Sequence, residues 1–270
     1  MTPRPRAITI NGRDLFVTDE HADFWDRFAS NTWEPGTLAV FDHYIGSETL
    51  YLDVGCWIGP TLLYAAPRAK YAVAFEPDPV AFAALEANVA ANPALSNISV
   101  RRVAIASKRG ELRIGSQGSK GDSMSSALFS GNEDSWTAEA MRLEDLEGDW
   151  PAAGNCFVKM DVEGGEFATL PSMAHFLHAR RATLFLSLHQ RFFLQPYQGK
   201  GFLMRLYGEA RLFARILRFL PLLLKYPYIY DEHGTRLSAL GFLQRRHWRR
   251  IDTLLLSYSP GPRGDPRSGD

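Results

Sequence analysis

The chain's patterning predicts an α/β fold, a parallel sheet with helices on both faces. Three observations carry that expectation. Strand-like runs alternate with helical segments from residue 49 onward. A glycine turn, Asp53-Val54-Gly55-Cys56-Trp57-Ile58-Gly59, directly follows the first of those strands. An acid, Glu76, ends the second strand 23 positions after Asp53.

The elements read as follows. Residues 1–48 form a lead-in: a strand or hairpin around Ala7–Val17, a helix over Ala22–Ala29 and a second helix over Thr37–Tyr44 behind Pro35-Gly36. Thr49–Val54 is a buried strand. Pro60 opens a helix to Ala66, since proline suits a first helical position. Tyr71–Phe75 is the second strand, and Asp78 caps a helix whose face is Phe82, Leu85 and Val89. Further strands follow at Asn97–Ala106, Asn155–Met160 and Ala182–His189, and a closing hairpin joins Tyr228–Tyr230 to Thr253–Tyr258. Two regions break the rhythm. Gly115–Gly131 holds ten Gly or Ser in seventeen residues, so it is a mobile loop or a glycine-rich hairpin. Gly201–Arg250 holds ten Lys or Arg against three Asp or Glu, with Arg211, Arg215 and Arg218 on one helical face. The tail 260–270 is expected to be disordered.

Composition removes several function classes. With 46% hydrophobic and 22% charged residues over 270 positions, the chain is neither disordered, fibrous nor a miniprotein. Thirty basic residues balance thirty acidic ones, so no global charge grips nucleic acid. Cys56 and Cys156 lie 100 residues apart without a CxxC or a zinc spacing; no metal is expected, and both read as reduced thiols of a cytoplasmic protein. Met1–Ile10 lacks a signal-peptide core, and the longest apolar run, Phe219–Leu224, is far short of a membrane span.

The chemistry-bearing motifs sit at strand ends. The D-x-G-x-x-x-G turn lacks the third glycine of a dinucleotide fingerprint, and no P-loop pattern occurs. Glycine permits positive φ and close approach there, and the following helix presents free N–H groups; a tight βα turn without a ligand has the same spacing. Glu76, in Phe75-Glu76-Pro77-Asp78, stands where an acid accepts from both ribose hydroxyls of a nucleoside; Asp78 suits a helix cap better. Lys159-Met160-Asp161-Val162-Glu163-Gly164-Gly165-Glu166 brings three acids to the carboxyl edge of the sheet. Asp161 is best placed to face the crevice, Glu163 to neighbour a substrate, and Glu166 to pair with a cation or cap the next helix. A lysine in a buried strand needs a partner, so the Lys159 amine is expected to meet one of these carboxylates. His189 ends the fifth strand towards the same crevice, where an imidazole can take a hydroxyl proton; a structural capping histidine fits that position equally.

With these residues in view, the stretch from about Thr32 to Leu170 resembles the FkbM-type family of S-adenosylmethionine-dependent methyltransferases. The matching pieces are Asp53-Val54-Gly55 with Gly59, Phe75–Asp78, Leu85–Asn88, Val103-Ala104, Gly110-Glu111-Leu112, Ser125-Ser126, Leu143–Leu146 and the K-x-D-x-E-G-x-E string at Lys159–Glu166. The resemblance implies a class I, seven-stranded, mostly parallel Rossmann-like sheet, its final antiparallel strand at Asp252–Tyr258, carrying the Gly/Ser-rich insertion as a hairpin. It implies one catalytic domain over 49–259, with the lead-in packed on it. It also implies S-adenosylmethionine as cofactor, bound by Asp53 and Gly55 at its methionine end with Gly59 of the same turn, Glu76 at the ribose with Pro77 beside it, Asp78, Val103 and Ala104 around adenine, and Asp161 near the sulfonium. The implied reaction is O-methylation of a small molecule, sugar or glycan/lipid intermediate, with Asp161, Glu163 and His189 as catalytic candidates. Cys56-Trp57 departs from the small residue and Asn usual in the turn, and Ser187 stands where an acid is common. A non-catalytic binding module and a membrane-surface scaffold using the basic 211–225 helix are the rival readings.

Overall fold

The computed structural model describes residues 5–261. The N-terminal hairpin pairs β1 (Pro5–Ile10) with β2 (Arg13–Thr18), and helices α1 (Ala22–Ala29) and α2 (Pro35–Tyr44) follow. Next come β3 (Thr49–Val54), α3 (Pro60–Ala65), β4 (Tyr71–Phe75), α4 (Pro79–Ala90), β5 (Ile98–Arg101) and β6 (Ala104–Ile105). The middle of the chain holds β7 (Gly110–Ser116), β8 (Ser125–Ser126), β9 (Trp136–Met141), β10 (Asn155–Met160), α5 (Glu166–Ala179) and β11 (Thr183–Ser187). The remainder holds α6 (Gln190–Leu194), α7 (Phe202–Leu217), α8 (Leu220–Leu223), β12 (Tyr228–Asp231), β13 (Arg236–Leu237), α9 (Ala239–Phe242), α10 (Arg245–Trp248) and β14 (Thr253–Ser257).

The main sheet has the order β13-β12-β14-β11-β10-β3-β4-β5. Strands β11, β10, β3, β4 and β5 are mutually parallel, while β14 is antiparallel to β11 and β12 to β14. Eight strands are therefore present among the described residues where seven were expected. The eighth is the two-residue β13, a short edge added by the turn after Asp231.

Strand periodicity divides the core in two. Leu50, Leu52, Val158, Leu184 and Leu254 face the side covered by α5, α7 and α8. Tyr51, Phe157, Phe185 and Leu255 face the side covered by the lead-in and α3. The lead-in is bound firmly there. Trp25, Phe28 and Phe41 are fully buried in that cluster. Asn92 stitches β2 to α4, accepting from Phe16 N at 3.0 Å and donating to Phe16 O at 2.6 Å.

Several expectations are corrected. The single strand Asn97–Ala106 splits at Arg102: β5 joins the main sheet, and β6 joins a second, four-stranded sheet of order β6-β9-β7-β8. Within the Gly/Ser-rich stretch only a two-residue ladder forms, Gly115 and Ser116 against Ser126 and Ser125. The longer antiparallel pairing is β7 with β9, a strand not foreseen. The fifth strand stops at Ser187, leaving His189 at the N-cap of α6. The basic helix 211–225 is instead the end of α7 and the separate α8, because the chain breaks at Arg218–Phe219 before Pro221. Strands β12 and β14 do pair, but across β13, α9 and α10 rather than in a tight hairpin. Of the tail, Pro260 and Gly261 are held to the core: Gly261 N donates to Tyr230 Oη at 3.1 Å, and Pro260 O lies 3.2 Å from His43 Nε2. Residues 262–270 lie outside the described residues.

Candidate active site

Register builds the first part of the site. Strands β3 and β10 pair in parallel with Asp53 opposite Lys159, both on the same face. Asp53 is fully buried and accepts from Tyr51 Oη at 2.8 Å and Thr61 Oγ1 at 2.7 Å. Lys159 Nζ lies 3.3 Å from Asp53 Oδ1, 3.6 Å from Asp161 Oδ2 and 3.1 Å from the Gly55 carbonyl oxygen. Burial opposes charge on this amine, but Asp53 and Asp161 outweigh it and raise its pKa. The expected pairing of Lys159 with one of the three acids is met by Asp161, while the nearer carboxylate, Asp53, was not foreseen as a partner.

Gly55 sits at φ +78°, and a Cβ there would collide with the Asp161 carbonyl oxygen. Its close approach is to the neighbouring strand end, and the Gly55 and Cys56 amides both donate to Phe75 O, at 3.0 and 3.3 Å. Gly59, at φ +89°, opens α3 and packs on Leu85.

Glu76 follows β4 and is 6% exposed. One carboxylate oxygen accepts from Trp57 N at 2.9 Å and the other from Asp78 N at 2.8 Å. Burial is the largest influence and pushes its carboxyl up to about 7. Asp78 does other work. Its Oδ1 caps α4 through Val80 N and Ala81 N, and its Oδ2 accepts from Gly121 N at 2.8 Å and Ser125 Oγ at 3.2 Å. Trp57, at φ +50°, donates its indole N–H to Gly121 O at 2.9 Å. The two residues fasten the Gly/Ser-rich loop over the glycine turn.

The acid turn forms the opposite wall. Asp161 N donates to Val54 O at 2.9 Å as β10 ends. Positive φ at Glu163 (+52°) and Gly164 (+96°) then reverses the chain into α5. The fully buried Glu166 accepts from Val162 N at 3.2 Å and holds His189 Nδ1 at 2.8 Å. The other ring nitrogen, Nε2, lies 3.1 Å from Glu163 Oε2 and 3.6 Å from Asp161 Oδ1. Burial opposes charging of this imidazole, but the Glu166 hydrogen bond and the surrounding carboxylates prevail and raise it to about 9. Burial, reinforced by Asp161, raises the Glu163 carboxyl. Donor atoms of Asp161, Glu163 and His189 all lie within 4.8 Å of one another, so these three could hold a metal ion. No metal spacing is visible in the sequence because the donors come from separated segments.

These walls enclose a cleft of about 660 Å³ at the carboxyl ends of β3, β4, β10 and β11. Gly55, Glu76, Pro77, Val103, Ala104, Asp161, Glu163 and His189 line it together. Asp53, Gly59 and Asp78 do not: Asp53 is walled in by Tyr51, Thr61 and Lys159, Gly59 by Leu85, and Asp78 by its cap and the loop. Arg27, Trp33 and Glu34 of the lead-in and Arg191 of α6 also line the cleft. Sequence reasoning missed them because they stand outside every strand-end motif. The positive φ of Glu34 (+43°) leaves no local signature.

The family described as "Methyltransferase FkbM domain" matches residues 53–236. No curated protein matches the chain. Among solved structures, it is similar to the methyltransferase FkbM from Methylobacillus flagellatus KT, with 16% identity and TM-score 0.46 over 89% of this chain and 61% of that one. The chain thus spans about three fifths of that protein's length. It is also similar to a geranyl diphosphate methyltransferase in complex with SAM (8%, TM-score 0.42, 84% of this chain and 85% of that one). A third is the O-methyltransferase from Bacillus cereus in complex with SAH (12%, TM-score 0.40, 83% and 78%).

Proposed function

From the premise that the chain belongs to the FkbM methyltransferase family, we propose that it methylates a hydroxyl of a small molecule, sugar or glycan/lipid intermediate using S-adenosylmethionine. The observation that carries the reading is the convergence of Glu76, Asp161, Glu163 and His189 on one cleft. Its volume suits a nucleoside-sized ligand with room beside it.

The residues present fit that cofactor. Glu76 would take the ribose hydroxyls, with Pro77, Val103 and Ala104 beside the base. Asp161 Oδ1 is buried without a hydrogen-bond partner, its 3.6 Å contact with His189 Nε2 being an ion pair only, so it can accept from an incoming donor. Gly55 would leave the turn open beside the methionine end. Asp53, Gly59 and Asp78 support this site from behind it: Asp53 fixes Lys159, Gly59 starts α3 and Asp78 fixes the loop. Bound S-adenosylmethionine supplies a methyl group on a positively charged sulfur, open to in-line displacement. The protein's task is to align the acceptor oxygen, exclude water and remove the hydroxyl proton.

Asp161 is assigned to receive or orient that hydroxyl. Glu163 shares the site and takes the other side of His189. The imidazole carries a proton at neutral pH because three carboxylates surround it, so it serves as a base only as pH approaches 9. A rate rise is therefore expected near pH 9 rather than at the ordinary histidine value of about 6.5. The cytoplasmic setting belongs to the proposal; both cysteines are buried free thiols. Among the described residues no helix is long and apolar enough to cross a membrane.

Titration calorimetry with S-adenosylhomocysteine, followed by an acceptor screen with labelled cofactor run with and without EDTA, tests the reading. Binding and label transfer to an oxygen are the expected results. A folded protein that binds no cofactor would make it a non-catalytic module.

A further inference from the structure

Helix α7 is apolar on two faces. Its inner face, Gly208, Leu212 and Ile216, is buried on the protein. Its outer face presents Phe202, Leu203, Leu206, Tyr207 and Leu217, which are 70, 77, 52, 53 and 42% exposed. At 100° per residue, Phe202, Leu206 and Leu217 fall within about 60° of arc, with Leu203 and Tyr207 alongside, on a helix about 24 Å long. Packing on the core needs one apolar stripe and accounts for the inner one. A second stripe facing solvent marks a surface that meets something else.

The charge beside it identifies the partner. Arg205, Arg211 and Arg218 are exposed on the same helix and its C-cap. Its acid, Glu209, is paired with Arg249 at 3.3 Å. The chain as a whole has no net charge, yet residues 201–250 hold ten basic side chains against three acidic. Arg205, Arg211 and Arg218 thus put exposed positive charge on the same helix as the apolar stripe.

We propose that the outer face of α7 docks the protein on an anionic lipid surface. Phe202, Leu203, Leu206 and Leu217 enter the boundary between headgroups and acyl chains, and the arginines lie over lipid phosphates. Long arginine stems let the guanidinium reach the headgroups while the backbone lies lower. A second copy seated by a two-fold on this face would bring the same arginines together, which like charge opposes. Helix α7 packs against α6, and Arg215 stacks over Phe193 at 4.9 Å. The helix that bears the docking face thus packs, on its other side, against the segment that carries His189 and Arg191 to the cleft.

Vesicle sedimentation of the full chain tests this without any assay of activity. The vesicles are phosphatidylcholine alone, and phosphatidylcholine with about one third phosphatidylserine, at low and physiological salt. Binding to the mixed vesicles is expected to be at least tenfold tighter than to phosphatidylcholine, and to weaken with salt. The double variants F202E/L206E and R205E/R218E should each lose tenfold or more, with unchanged circular dichroism and S-adenosylhomocysteine affinity, since these four side chains lie on the surface. Absence of sedimentation at millimolar lipid, or wild-type binding by F202E/L206E, overturns the proposal. So does a dimer in light scattering that F202E/L206E abolishes, which would give the face to a second copy. Loss of cofactor binding with lipid binding intact would instead strike the methyltransferase reading alone.

Discussion

Glu76 combines three properties that are rarely found together: near-complete burial, two backbone N–H donors already on its oxygens, and a carboxyl raised to about 7. A ribose hydroxyl donates best to the ionised form, so cofactor affinity should weaken as pH falls through 7. Binding should release a proton over that range. Glu76→Ala removes a charged acceptor, worth about 1.5–3 kcal/mol, and should weaken S-adenosylhomocysteine roughly ten- to a hundredfold in calorimetry. Unchanged affinity would remove Glu76 from the site. Asp161 and His189 are separable in the same way. Asp161→Asn keeps the shape and the Asp161 N–H bond to Val54, so the variant should fold normally yet lose about a hundredfold in turnover. His189→Gln should abolish the rate rise near pH 9, because the wild-type imidazole becomes a base only as it loses its proton there. Near-normal turnover by Asp161→Asn, or a persistent rise in His189→Gln, would remove the respective role.

At the scale of elements, the Gly/Ser-rich loop is the part that can change state. Its tip is held by polar contacts, Asp78 Oδ2 and the Trp57 indole at Gly121 and Asp122 folded onto the amides of Gly118, Ser119 and Met124, while its far end is anchored by the buried Phe129 against Phe192. It covers the cleft through Asp122, Ser123, Ser125 and Ser126. Breaking the few hydrogen bonds at this tip costs little compared with moving a buried helix. Residues 115–131 are therefore expected to exchange amide hydrogens quickly in the free protein and more slowly with cofactor and acceptor bound. Fast exchange in every state would leave them a simple connection.

At the scale of the whole molecule, the lead-in packs on one face of the main sheet as part of its core. Phe41 is buried against Tyr51, Phe157 and Phe185 of β3, β10 and β11, Phe28 against Tyr64 of α3, and Arg27, Trp33 and Glu34 reach the cleft. A chain beginning at residue 47 would expose that apolar face and open one wall of the site. It should lose cooperative thermal unfolding or aggregate, and lose S-adenosylhomocysteine binding. A stable, cofactor-binding truncation would show the lead-in to be an accessory.

The amino-acid sequence by itself determined what is local or repeats with a short period. Alternation of strand and helix marked the parallel sheet, Pro60 and Asp78 marked two helix starts, and Asp53–Gly59, Glu76 and Lys159–Glu166 marked three strand ends that meet at one edge. A parallel sheet brings successive strand ends to the same side, which is why those motifs found each other. Only the tertiary structure decided which of those residues reach the cleft. Asp53 and Asp78 carry the same acid as Asp161, but register set Asp53 against Lys159 and Tyr51, and the long-range return of Gly121 engaged Asp78. The protonation of His189 was likewise invisible. It depends on Glu166, 23 residues away in the chain but 2.8 Å from the ring, and a side chain's charge is set by its neighbours in space.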